Sequence, residues 1–182
     1  MEKIGLGGGC HWCTEAVFAS LRGVTKVEQG WIAAEENKVF SEAVIVHYDE
    51  SAIDLRVLLA VHLYTHSSTA NHSMRNKYRS AVYTFAHAQK EHCVLLLQDL
   101  QATFEDKLVT TVLQFHAFRS SPENELDYFY QNPDKPFCTS YIHPKLKILL
   151  QHFAAHVNTA KINSSLAGQQ LEKTDLNITP FA

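Results

Sequence analysis

An α+β fold is predicted for this chain of 182 residues, a two-layer sandwich on a ferredoxin-like βαββαβ core with a C-terminal helical extension. Three observations predict it. Alternating apolar runs and helix-spaced runs follow one another in the order β, α, β, β, α, β. The middle two strand candidates are joined tightly enough to form a hairpin. The main helix candidates keep an apolar face that a sheet can cover.

Glu2 to Leu6 reads as a short strand that runs into Gly7-Gly8-Gly9. The segment from His11 to Arg22 then reads as a helix closed by Gly23, since glycine ends a helix without strain. Cys10 thus falls at a junction of strand, glycine turn and helix start. Val24 to Ala34 and Lys38 to Tyr48 read as strands joined by the polar turn Glu35-Glu36-Asn37. From Asp54, a good N-cap, Leu55, Leu58, Leu59 and Leu63 follow helical spacing to Thr65. A polar stretch from Thr65 to Lys77 precedes a fourth strand, Arg79 to Phe85, with Ala81, Tyr83 and Phe85 on one face.

Ala88 to Phe104 reads as a third helix with Cys93, Leu97, Leu100 and Phe104 inward, which makes Cys93 a buried structural thiol. Leu108 to Phe118 alternates loosely as a fifth strand. Beyond it come a short helix from Glu123 to Gln131, a loop from Asn132 to His143, and an amphipathic helix from Pro144 to Val157 with Leu146, Leu149 and Phe153 inward.

Composition narrows the function. A net charge of −3, from 16 Lys+Arg against 19 Asp+Glu, gives no basic field for nucleic acid. No run approaches the roughly 18 apolar residues of a membrane span, and the N-terminus lacks the pattern of a signal peptide, so neither a membrane nor secretion is expected. The expected location is the cytoplasm. There the four cysteines, Cys10, Cys13, Cys93 and Cys138, are kept as thiols, and their chemistry is metal binding or turnover.

Cys10 is the nucleophile candidate. A cysteine just before a helix meets unpaired backbone N–H groups and the positive end of the helix dipole, and both favour its thiolate, the reactive form. The plainer alternative is a small core residue after a flexible turn. Cys10-His11-Trp12-Cys13 is also a C-x-x-C, either a redox pair or half of a zinc site. His62 and His66 could complete a zinc tetrad, but there is no second C-x-x-C, and no metal or cofactor is expected. Glu42 interrupts an otherwise apolar face formed by Phe40, Val44, Val46 and Tyr48. A carboxyl there is either an acid poised for proton transfer or a residue at the sheet margin.

Four blocks in order make the chain resemble the A type of peptide methionine sulfoxide reductase. They are Gly8-Gly9-Cys10-His11-Trp12, Ser41-Glu42-Ala43-Val44, Tyr78-Arg79-Ser80-Ala81, and Asn132-Pro133 followed by Cys138. The resemblance implies that Cys10 attacks the sulfoxide sulfur, that Glu42 protonates its oxygen, and that Tyr78 holds that oxygen with its hydroxyl. Trp12 cradles the S-methyl group, with His11 and Trp31 on the same substrate-binding side. The sulfenic acid left on Cys10 is resolved by Cys138, which aligns with the family's recycling cysteine, or by Cys13, which shares the helix start. Thioredoxin or another dithiol then restores the enzyme.

The chain departs from the family pattern at several places. His11 stands where Phe is usual, Cys13 where Gly is usual, and Trp31 where a tyrosine is usual; His72-Ser73 replaces an Asn-Asp pair. The cysteine-bearing glycine-rich tail is replaced by the helix from Pro144, so the recycling relay is shortened. Residues 1–158 are expected as a single catalytic domain and 159–182 as a loosely ordered tail. Two other readings compete: a general dithiol oxidoreductase using Cys10 and Cys13, and a non-catalytic module that only binds methionine sulfoxide.

Overall fold

The computed structural model describes residues 1–165, and every structural statement below concerns that part of the chain. Its elements are β1 (Glu2–Gly7), α1 (His11–Ala19), β2 (Val24–Ala34), β3 (Phe40–Tyr48), α2 (Leu55–Thr65), β4 (Ala81–Thr84), α3 (His87–Leu100) and β5 (Thr111–Ser120). A one-turn α4 (Tyr128–Gln131), α5 (His143–Phe153) and α6 (Thr159–Ser165) follow. The fold is a mixture of α and β, and none of its helices is long and apolar enough to cross a membrane.

The expected two-layer sandwich is corrected by the fate of β5. β1 pairs antiparallel with both β3 and β4, and β2 pairs antiparallel with β3, giving a sheet in the order β4-β1-β3-β2. β5 then lies antiparallel to β2 and parallel to β4, so the sheet closes into a barrel. The physical reason is the backbone. An open sheet would leave the N–H and C=O groups of its two marginal strands to solvent, and one added strand satisfies both margins.

Alternation along the strands divides the apolar residues between two compartments. Ile32, Ala34, Ala43, Ile45, Ala81 and Tyr83 form one cluster, with Leu113, Phe115 and Phe118 against it. A Cβ on Gly5 would come within 2.8 Å of both Ile32 and Tyr83, so this compartment has room only for glycine there. On the other side Ile4, Leu6, Val44, Val46 and Val82 pack against Phe18 of α1, Leu58 and Leu59 of α2, and Leu146 and Leu149 of α5. Glu42 belongs to this second side by its spacing from Val44. It therefore faces the start of α1.

Two other expectations change. The helix from Glu123 to Gln131 is broken: a 3₁₀ turn, Glu123–Glu125, is separated from α4 by Asp127, which sits at φ +51. The loop from Asn132 to His143 contains a π-helical turn, Cys138–Ile142, that leads directly into α5. Pro144 has no N–H for the carbonyl four residues back, and a widened turn just before it accommodates that missing bond. In the expected tail from 159, α6 carries Ile162, which is buried in the main core. The remainder of that expected tail, 166–182, lies outside the described residues.

Candidate active site

Cys10 is the N-cap of α1, with φ −58 and ψ 129, and its carbonyl accepts from the backbone N–H of Cys13 (3.1 Å) and Thr14 (3.2 Å). The turn before it is tight. A Cβ on Gly8 would stand 2.4 Å from the His66 ring, and one on Gly7 would stand 3.0 Å from the Arg79 carbonyl and 3.1 Å from that of Glu42. Gly7 is the point where β1, β3 and the segment before β4 converge, and a side chain there would push them apart.

That convergence brings the separate sequence blocks together. The backbone N–H of His11 donates to Oε2 of Glu42 at 3.1 Å, joining the residue after Cys10 to β3. Lys77 presents its ammonium 3.4 Å from Oε1 of the same carboxyl. The Lys77 carbonyl accepts from the Glu42 N–H (3.0 Å) and from the Ser41 hydroxyl (2.8 Å), and the Ser41 oxygen in turn accepts from the Arg79 N–H (2.8 Å). Tyr78 is thereby fixed beside Glu42, with the Lys77 ammonium 5.0 Å above its ring.

His11 is buried, and its Nδ1–H donates to the Gly30 carbonyl at 3.0 Å, since a carbonyl can only accept. Trp31 meets the His11 ring edge-on at 5.0 Å. Trp12 is half-buried and stacks flat on Tyr128, at 4.1 Å and 6°, with Phe137 edge-on at 5.3 Å. Tyr128 and Phe137 carry no local sequence signal for this role, because they lie more than a hundred residues along the chain and arrive through α4 and the turn before α5.

All four thiols are free. Interaction with the neighbouring Cys13 thiol, more than any other cause, holds the Cys10 pKa below the ordinary thiol value. Burial and the Glu42 charge oppose it, while the backbone N–H groups of Trp12 and Cys13 assist. The same interaction, together with burial, pushes Cys13 far up. Cys93 is fully buried in the main core, where desolvation raises its thiol to about 12.

Cys138, expected in the loop from Asn132 to His143, is fully buried in the π-helical turn and packed in the main core, and burial raises its pKa. It is close enough for its charge to act on Cys13. Behind the thiol pair a narrow crevice is lined by His62, His66, Thr65 and Lys145. Burial keeps His62 neutral and lowers His66 to about 4, and their rings stack at 4.2 Å. Among the described residues, no group of three or more His, Cys, Asp or Glu side chains could hold a metal ion.

Residues 2–157 match the family model described as peptide methionine sulfoxide reductase. A protein named peptide methionine sulfoxide reductase MsrA from Psychrobacter sp. (strain PRwf-1) is 33% identical, over 86% of this chain and 99% of its own length. One of the same name from Sulfolobus acidocaldarius is 29% identical, over 84% and 96%. Among solved structures, reduced Mxr1 of Saccharomyces cerevisiae is similar with a TM-score of 0.66 at 22% identity, covering 77% of this chain and 90% of that one. Mxr1 in complex with Trx2 matches at 0.56 and 21% identity, covering 70% and 84%.

Proposed function

Because the chain belongs to the peptide methionine sulfoxide reductase family, we propose that its chemistry is carried by Cys10 as nucleophile, Glu42 as acid and Tyr78 as hydroxyl donor. The protein is a thiol-dependent oxidoreductase that returns methionine S-sulfoxide, free or in proteins, to methionine by way of a sulfenic acid and a disulfide. The observation that carries the residue assignment is the junction at Cys10. The thiolate is stabilised at the start of α1, and the next backbone N–H of that helix is bonded to the Glu42 carboxyl.

The Cys10 sulfur attacks the sulfoxide sulfur. A sulfoxide is a poor electrophile until its oxygen receives a proton or strong hydrogen bonds, which the Glu42 carboxyl and the Tyr78 phenol supply. The oxygen passes to Cys10, methionine leaves, and the Cys10 sulfur becomes a sulfenic acid. Trp12 offers an indole face to the S-methyl group, held by the stack with Tyr128, with the His11 and Trp31 rings beside it. A plain disulfide exchanger needs no carboxyl at this junction, and a module that only binds needs no activated thiol.

A second thiol then attacks the Cys10 sulfur and water leaves. We give that role to Cys13 rather than Cys138. Cys13 lines the same crevice as Cys10 and interacts with its thiolate, and because Cys10 is the cap and not a helical residue, both sulfurs can meet without unwinding the helix. Cys138 is fully buried in the π-helical turn. Thioredoxin or a similar dithiol restores the pair; the complex of Mxr1 with Trx2 supports this partner, and the free thiols fit a reducing cytoplasm. We read β4-β1-β3-β2 as a ferredoxin-like unit closed by β5, and residues 1–158 as the catalytic domain, to which α6 adds Ile162.

The test is one turnover on separated sulfoxide epimers without reductant, followed by mass mapping. The S epimer should yield one equivalent of methionine and a Cys10–Cys13 link, and Cys10→Ser should yield neither. Methionine from Cys10→Ser refutes the nucleophile, and a Cys10–Cys138 link refutes the resolving thiol.

A further inference from the structure

Lys145 stands where elementary electrostatics disfavours it. It is the third residue of α5, which continues the π-helical turn Cys138–Ile142, and its charge is carried where burial disfavours it. Its side chain is half-buried, and desolvation lowers its pKa from the ordinary lysine value. The ammonium donates to the carbonyl of Thr65, the last residue of α2, and lines the crevice behind Cys10 and Cys13.

The other groups facing this ammonium leave it with a distinct place. From α1 come Cys10 and Cys13, whose charges favour the ammonium; from α2 come His62 and His66, both neutral. Cys138 approaches Cys13 from the π-helical turn, and Glu42 acts on Cys10 from β3. Arg75 is felt by both imidazoles, but its guanidinium is bonded to the carbonyls of Gly8, Ala70 and Tyr78. Among the described residues that line the crevice, Lys145 is the one cation.

We propose that Lys145 enables disulfide closure by holding the negative charge that develops on the Cys13 sulfur after Cys10 has become a sulfenic acid. The proposal rests on the assignment of Cys10 as nucleophile and Cys13 as resolving thiol. Before turnover, the negative Cys10 sulfur favours keeping the proton on Cys13. Oxidation removes that charge, while the ammonium stays. Cys13 then attacks as a thiolate: its sulfur bonds to the Cys10 sulfur, the S–O bond breaks, and the departing hydroxide takes up the proton as water. Cys13 is oxidised and the Cys10 sulfur reduced, with no other reactant.

The test separates charge from helix capping. Lys145→Gln keeps an N–H donor for the Thr65 carbonyl without charge, Lys145→Met loses both, and Lys145→Arg keeps both. Single turnovers across pH, quenched with a sulfenic-acid-trapping dione, report methionine release and disulfide closure separately. In the Gln and Met variants the ratio of closure to methionine release should fall about tenfold near neutrality, with trapped sulfenic acid accumulating. The pH profile of closure should move upward by about one unit, the pKa change that such a tenfold loss represents. The Arg variant should restore both. Closure at the normal rate and profile in Lys145→Gln overturns the proposal. So does equal slowing in all three variants with an unmoved profile, which marks a structural role. A Cys10–Cys138 link in the unaltered protein instead overturns the assignment of Cys13 beneath it.

Discussion

Replacing Cys13 by alanine removes the S–H donor that contributes most to the stability of the Cys10 thiolate. A hydrogen bond to a charged group contributes about 1.5–3 kcal/mol, and a thiol is a weak donor, so the lower end applies. At about 1.36 kcal/mol per unit, the Cys10 pKa should rise by about one unit. The sign follows from the state that is stabilised. Losing a donor to the thiolate disfavours the thiolate, so the reactive form appears at higher pH and its share near neutrality falls about tenfold. Alkylation of Cys10 by iodoacetamide, followed by mass spectrometry across pH, measures this directly. The alanine profile should move up and meet the original at high pH, where both proteins are fully ionised. Cys13→Ser keeps an O–H donor and should leave the profile near its original place. An alanine profile that overlays the original refutes the reasoning and leaves the backbone N–H groups of Trp12 and Cys13 as the whole cause.

Glu42→Gln should lower turnover by about 10²–10⁴-fold with the fold intact, because the amide keeps the shape but gives no proton to the oxygen; steady-state rates and circular dichroism check both parts. Glu15 is buried, accepts from the Asp127 N–H and from Gln29, and desolvation raises its pKa from the ordinary 4.5 to about 7. Its folded value lies above its unfolded one, so stability is greatest below the unfolded value and falls as pH rises toward the folded one, by roughly 3 kcal/mol. Glu15→Gln should flatten that slope in denaturant melts taken at several pH values; an unchanged slope sinks the idea. Gly30→Ala places a Cβ 2.1 Å from the Arg119 carbonyl where β2 meets β5. It should cost about 3 kcal/mol or more, read as a fall in melting temperature.

The parts of this molecule that were legible in its sequence are those fixed by neighbours along the chain. β3 shows its two faces by alternation, α2 shows its cap and apolar stripe, and the glycine turn marks Cys10 as a helix cap. Barrel closure was not legible. β5 is half-buried along most of its length, so its alternation is weak, and its parallel pairing with β4 spans a whole helix. The wall beside Trp12 was hidden for the same reason: nothing around Tyr128 says which ring, far back in the chain, it will cover. At Cys138 the prolines at 136 and 144 suggested a loop, whereas a π-helical turn absorbs the second of them and carries the thiol into the core. Lys145 looked like one more polar residue on an amphipathic helix, and only the packing of α5 against α1 and α2 brings it to the thiols.

Closure of the sheet also restricts how an oxidised polypeptide can be held. Each of the five strands is bonded to a neighbour on both sides over at least part of its length. A substrate chain therefore has little opportunity to lie down as an additional strand, the route by which many proteins grip extended peptides through their main chain. In the proposed site, contact then falls on the sulfoxide side chain itself. An enzyme that grips the damaged side chain and leaves the backbone alone is indifferent to the residues on either side of the lesion. Repair of the same injury at unrelated positions in unrelated proteins asks for that indifference.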